Sequence, residues 1–155
     1  MAYAREYLPK LGYKSRVEIM TPLIVSLKGP GVKMSASIPE SHIKVYEPED
    51  KLREKINRAY CPVGEIKDNP IYQLCKYVIF PIKGKLKIER DKKYGSDIEF
   101  KEFSDFEREY INKKIHPTDL KLTLISDLTK IFSKVRDYFE KHKDVLNELG
   151  NQFLP

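Results

Sequence analysis

Cysteine is scarce: two residues in 155, Cys61 and Cys75, stand in neither a metal-binding nor a redox spacing. Reduced, buried structural thiols are what that leaves. No apolar run approaches the roughly 20 residues that a membrane-spanning helix needs, which excludes a helical membrane protein. The opening Met1-Ala2-Tyr3-Ala4-Arg5-Glu6 lacks the apolar core of a signal peptide, so a cytoplasmic location is expected. Glycine-rich phosphate loops are missing too. Gly29-Pro30-Gly31 is not followed by a third glycine at position 34, and there is no Walker sequence and no Gly-x-Ser-x-Gly turn. The three histidines, His42, His116 and His142, are not spaced as metal ligands, and no metal site is expected. Internal repeats and low-complexity tracts are absent.

What is present is an ordinary globular composition, 41% apolar and 34% charged, with an excess of positive charge. The net charge of +6 comes from 29 basic against 23 acidic residues and favours a polyanionic partner. Its distribution is more telling. Lys83, Lys85, Lys87, Arg90, Lys92 and Lys93 crowd one short stretch, opposed there only by Glu89 and Asp91. Lys83, Lys85 and Lys87 alternate with Ile82, Leu86 and Ile88, so a strand here would bury one face and present a basic row on the other. An edge strand kept soluble by lysines reads equally well.

The chain opens with what reads as the end of a helix, Ala4 to Leu8, closed by Pro9 and Gly12. Val17-Glu18-Ile19-Met20 reads as a strand running into Pro22-Leu23-Ile24-Val25, the last helix-to-strand step of a parallel sheet. Pro48-Glu49-Asp50 starts a helix running to about Tyr60, with Leu52, Ile56 and Ala59 on one face. Asn69-Pro70 is an N-cap and first-position pair for a helix through Leu74, Tyr77 and Val78. The basic strand, a turn at Tyr94-Gly95-Ser96-Asp97 and a return strand around Ile98–Phe100 form a hairpin. Ser104-Asp105-Phe106-Glu107 fits a capping box for a short helix ending near Lys113. From Pro117, the apolar positions Leu120, Leu124, Leu128, Ile131, Val135, Tyr138 and Phe139 make the stripe of a long amphipathic helix, with Asp119 in its first turn and Gly150 past its end. The fold expected is mainly α with a small β-hairpin, and the domain boundary falls between 38 and 48.

After the Gly29-Pro30-Gly31 hinge stands Lys33-Met34-Ser35-Ala36-Ser37. This pentapeptide resembles the KMSKS signature loop of class I aminoacyl-tRNA synthetases. In that chemistry ATP activates a carboxylate and negative charge builds on the departing pyrophosphate. A loop that closes over those phosphates can stabilise the charge with a lysine and hydroxyls where water is excluded. Lys33 supplies the cation, Ser35 and Ser37 supply hydrogen bonds, and Gly29 and Gly31 allow the backbone excursion. Ala36 stands where the generic motif has a second lysine, which leaves the charge to Lys33. A chance surface loop is the plainer account of the pentapeptide alone.

Downstream, Ala59-Tyr60-Cys61-Pro62-Val63-Gly64, Asn69-Pro70-Ile71 and His116-Pro117-x-Asp119-Leu120-Lys121 follow in order. That succession resembles the C-terminal part of archaeal and eukaryotic tyrosyl-tRNA synthetases across nearly the whole chain. The resemblance implies that residues 1–40 are the C-terminal remnant of a Rossmann-type catalytic domain, carrying its last strand and the signature loop. Residues 41–155 are then a helical anticodon-binding domain. It further implies ATP, as its Mg2+ complex, against Lys33, Met34 and Ser35, and tRNA(Tyr) read at its first anticodon base, a guanine. By the same resemblance His116 of the His-Pro-x-Asp turn, with Pro117, stacks on that base and Asp119 accepts from its Watson–Crick edge. Tyr94 covers the other face, and Cys61 lies close to the same pocket. Such reading agrees with RNA recognition in general, where unstacked bases lie on rings and are read along their edges. The strand lysines with Lys113, Lys114 and Lys121 would hold the phosphate backbone. Taken singly, His116 and Asp119 could instead cap a helix, and Tyr94 could be a turn aromatic.

The KMSAS form also occurs in tryptophanyl-tRNA synthetases, which keeps a tryptophan–tRNA ligase as one alternative and a stand-alone RNA-binding module as another. No histidine begins a His-x-Gly-His element. The sequence therefore reads as part of a tyrosine–tRNA ligase whose catalytic domain, amino-acid pocket and homodimer interface lie on a missing partner segment. By itself it is expected to bind tRNA, to avoid membranes and not to catalyse aminoacylation.

Overall fold

The computed structural model describes residues 2–14, 21–35, 37–90, 95–145 and 147–148. The architecture is helical with one small hairpin: α1 (Ala2–Lys10), α2 (Glu49–Arg58), α3 (Pro70–Leu74), α4 (Phe80–Lys83), β1 (Leu86–Ile88), β2 (Ile98–Phe100), α5 (Phe103–Ile111) and α6 (Pro117–Lys141). Among the described residues no helix is long and apolar enough to cross a membrane.

The long helix α6 is the spine. Pro117 occupies its first turn, where the missing N–H costs nothing, and the His116 ring accepts from the Thr118 N–H as N-cap. Leu120, Leu124, Ile125 and Leu128 are fully buried, and α2 packs Leu52 and Ile56 into the same core. Further along, the stripe is only partly covered: Ile131 is partly buried, Phe139 packs on the Tyr46 ring with centroids 5.4 Å apart, and Tyr138 is 53% exposed. The helix breaks at His142, whose Nδ1–H donates to the Tyr138 carbonyl at 2.8 Å, so it ends well before Gly150, which lies outside the described residues.

Asn69 caps α3 as its sequence position demands, its side chain accepting from the Tyr72 N–H at 3.1 Å. The helical path from Pro70 to Lys83 is interrupted by a π-helical turn over Cys75–Ile79. Pro81 accounts for it: its ring presses on the carbonyl four residues back, and a wider turn relieves that contact. Cys75 is fully buried in this turn and Cys61 half-buried, both as free thiols.

Helix α5 begins at Phe103, with Glu102 at its N-cap and no side-chain cap, so the capping box expected at Ser104 does not form. Two tertiary contacts decide this. Phe103 joins the cluster of Tyr72, Phe80 and Phe106, with ring centroids 5.2–5.7 Å away, which draws the helix start forward. Glu107 meanwhile accepts from the Tyr72 hydroxyl instead of folding back on the backbone.

The hairpin pairs Leu86 with Phe100, Lys87 with Glu99 and Ile88 with Ile98. Lys83 lies in α4 rather than in the strand, because Gly84 ends that helix in the left-handed region. The lysine row is neutralised from within the fold. Lys85 pairs with Glu99 at 2.5 Å, Lys87 with Asp97 at 2.8 Å, and Lys83 with Asp127. Hydrogen bonds from Lys87 and Lys85 hold the Asp97 and Glu99 carboxyls below the usual carboxylate range. Groups lowered on folding contribute stability above the unfolded value of about 4, and it is lost as pH falls through the folded value. The hairpin amide resonances are thus expected to titrate below about pH 4 in acid NMR series; a midpoint at the ordinary carboxylate value would count against these pairs.

The strand expected over Val17–Met20 lies outside the described residues. Its continuation, residues 21–26, carries no strand among the described residues. Val25 N–H instead donates to Gln73 Oε1 at 2.8 Å, and Leu27 is buried against the helical core.

Candidate nucleic-acid interface

The turn between α5 and α6 builds a cleft. Lys113 sits in the left-handed region at φ 60°, reversing the chain, and Ile115 is buried as the anchor beneath. His116 stays exposed while its Nδ1 is occupied by the Thr118 N–H, so a neutral ring carries its proton on Nε2. Pro117 is half-buried beside it and Asp119 follows in the first turn of α6.

A cavity of about 450 Å³ opens here, lined chiefly by Val63, Arg90, Lys113, Lys114, His116 and Asp119. That volume lies within the range of small-molecule sites and admits a single base. Its lining is cationic, and Asp119 is the one carboxylate among its described residues. Arg90, which the sequence placed only in the basic row, reaches the cleft from the end of β1. It donates to the Lys114 carbonyl through Nη2, and its Nε lies 4.0 Å from Asp119 Oδ2. Only the fold brings it there.

Cys61 lies behind this cleft, two residues from Val63, and is not part of its wall. The Tyr110 hydroxyl donates to the Pro62 carbonyl at 2.6 Å and accepts from Asn69 Nδ2 at 2.9 Å, so the Cys61 thiol, 3.5 Å away, is the donor toward its oxygen. Burial pushes both the Cys61 thiol and the Tyr110 hydroxyl up, holding each neutral beyond its ordinary range. Asn69 also donates to the Glu65 carbonyl at 2.9 Å. The 59–69 segment is in this way fastened to α5. Tyr94 lies outside the described residues. Lys121 is committed to the Asn57 carbonyl at 2.9 Å; Lys113 and Lys114 are exposed at the rim, Lys114 paired there with Glu109 at 2.8 Å.

The other end of the same segment holds the glycine-hinged loop. Tyr60 N–H donates to the Leu27 carbonyl at 2.7 Å, and the base of its ring packs against Gly29. Ser41, fully buried, staples the loop: its Oγ accepts from the Ser35 N–H at 3.0 Å and lies 2.7 Å from the Ile38 carbonyl. Ser35 and Ser37 hydroxyls are 2.9 Å apart, and Lys33 and Met34 project into solvent. Ala36 lies outside the described residues. The two groups of predicted site residues are thus separate: Tyr60 packs at Gly29 of the loop, and Val63 lines the cleft.

The family model described as tRNA synthetases class I (W and Y) matches residues 1–133. The chain belongs to this family. Tyrosine enzymes are among the proteins it resembles. Tyrosine–tRNA ligase of Saccharolobus solfataricus is 44% identical over 154 residues, covering 89% of this chain and 42% of that protein. The tyrosyl-tRNA synthetase of Archaeoglobus fulgidus, solved with L-tyrosine, superposes with a TM-score of 0.78 at 39% identity, over 86% of this chain and 41% of its own. The tyrosyl-tRNA synthetase of Pyrococcus horikoshii, also solved with L-tyrosine, gives 0.80 at 27% identity, over 94% and 46%. The chain spans less than half the length of these relatives.

Proposed function

We propose that this chain is the tRNA-binding, C-terminal part of a tyrosine–tRNA ligase that reads the first anticodon guanine. The observation that carries this reading is the cleft at the start of α6, where one carboxylate stands among cations beside an exposed imidazole. Guanine offers two donors, N1–H and N2–H, and a carboxylate offers two acceptors at matching spacing. Asp119 takes that edge, His116 and Pro117 give the base a surface to lie on, and Lys113 and Lys114 hold the flanking phosphates. Tyr94 is assigned the opposite face and Cys61 a supporting place behind the pocket.

Residues 1–40 belong in this reading to the nucleotide-binding domain and 41–155 to the anticodon-binding domain. In the whole ligase tyrosine and ATP, carried with Mg2+, would form tyrosyl-adenylate and pyrophosphate, and the tyrosyl group would pass to the terminal ribose of tRNA(Tyr). Lys33, exposed on a loop hinged at Gly29, would neutralise the pyrophosphate, and Met34 and Ser35 would line the nucleotide. The Ser35 and Ser37 hydroxyls, which now face one another, would turn to the phosphates on closure.

The test is anisotropy titration of the chain with anticodon stem-loops that differ only in the first anticodon base. Guanine is expected to bind about tenfold or more tighter than adenine, the discrimination worth of a good edge contact, and Asp119→Asn is expected to remove most of that ratio. Equal binding of both would sink the reading. A preference for cytosine, the first base of a tryptophan anticodon, would turn it to the tryptophan ligase.

A further inference from the structure

Arg90 is the charged side chain in the cleft with the least freedom and an unused donor. Its side chain is only 13% exposed. Its backbone N–H donates to Asp97 Oδ1 at 3.2 Å, which pins the end of β1, and its Nη2 donates to the Lys114 carbonyl, which pins the guanidinium to the α5–α6 turn. Held at both ends, the planar fork cannot swing, and it directs its Nε edge at Asp119. Nε is buried without a hydrogen-bond partner, 4.0 Å from Asp119 Oδ2. That gap is within reach of strong Coulomb attraction but about 1 Å too long for a hydrogen bond.

We infer that Arg90 is the positioning residue for Asp119, fixing the plane of the carboxylate that reads the first anticodon base. The inference rests on the base-reading proposal above and adds the source of its selectivity. A freely rotating carboxylate accepts from any amino group, whether of guanine, adenine or cytosine. A carboxylate held on one oxygen by a fixed guanidinium presents a defined edge, and only a base with two adjacent donors satisfies it. A small inward turn of Asp119 as the base enters would close the gap and satisfy the orphaned Nε–H, coupling base binding to completion of the pair. A role in holding RNA phosphate suits Arg90 less well, since Lys114 at the rim is 61% exposed and Arg90 is not.

The experiment measures the guanine-to-adenine affinity ratio of stem-loops on the full chain for wild type, Arg90→Gln, Arg90→Lys, Asp97→Asn, Asp119→Asn and the Arg90→Gln/Asp119→Asn double variant, with thermal melts of each. Arg90→Gln is expected to lower the ratio about tenfold through the guanine arm, with little change for adenine. Added to Asp119→Asn it is expected to lower the ratio no further, because the two act as one unit. Arg90→Lys keeps the charge and the fold but lacks the fork, so it too should lose most of the ratio. This variant decides the matter if Arg90→Gln does not fold. Asp97→Asn keeps an Oδ1 acceptor for the Arg90 N–H and removes only the charge paired with Lys87, so it should keep the ratio. Equal weakening of both RNAs by Arg90→Gln, or loss of the ratio in Asp97→Asn, would overturn the inference while leaving Asp119 as the reader. A wild-type chain with no preference would remove the base-reading proposal itself, and this inference with it.

Discussion

Asn69→Ala is expected to destabilise the chain by about 3 kcal/mol, the sum of a lost helix cap and two polar partners left in the interior. Asn69 is completely buried, and each end of its amide is used. Oδ1 caps α3 on Tyr72 N–H, and Nδ2 donates to both the Glu65 carbonyl and the Tyr110 oxygen. Alanine satisfies none of these, and the bonds to the Tyr72 N–H and the Tyr110 oxygen are buried. Asn69→Asp keeps the cap acceptor but loses the donors, so it should fall between wild type and alanine. Urea unfolding followed by circular dichroism measures both. A loss under about 1 kcal/mol for alanine would show that the 59–69 segment is not fastened through this side chain. Because Val63 on that segment forms part of the cleft wall, weaker stem-loop binding should accompany the loss.

Gly29→Ala is expected to cost about 2–3 kcal/mol and to lift the signature loop off the helical core. Gly29 has φ 88°, which strains any side chain, and an added Cβ would lie 2.6 Å from Cγ of the Tyr60 ring. The ring has little room to retreat, since its backbone is tied to Leu27. Gly31 provides the control: φ is 78° there, but nothing lies within 4 Å of an added Cβ. Gly31→Ala should therefore pay the backbone strain alone, about 1 kcal/mol. Equal costs at the two positions, measured by urea unfolding, would show that the Tyr60 contact is not tight.

Much of the local structure was legible in the sequence because it depends on neighbouring residues. Asn69-Pro70 and His116-Pro117 name helix starts through backbone chemistry that holds in any context, and the three- and four-residue spacing from Leu120 to Leu128 defines a buried stripe. The return strand Ile98–Phe100 was readable from its turn. The misses share one cause. Ser104 and Glu107 fit a capping box, yet Phe103 has aromatic partners more than 20 residues away in sequence and Glu107 has the Tyr72 hydroxyl. Tertiary partners outweigh a local cap worth about 1 kcal/mol. The neutralised lysine row is likewise settled by contacts that no local pattern displays.

The sequence by itself determined which chemistry is on offer: a hinged loop with one lysine and two serines, and a helix start bearing an imidazole and a carboxylate. Those depend on residue identity and short spacing. The tertiary structure alone decided what these groups face. It carried Arg90 from the hairpin to within 4.0 Å of Asp119, set Tyr60 beneath Gly29, and brought Val63 of the same segment to the cleft. Such placements depend on how α5, α6 and the hairpin pack around one core, and packing joins residues according to shape and burial rather than order along the chain.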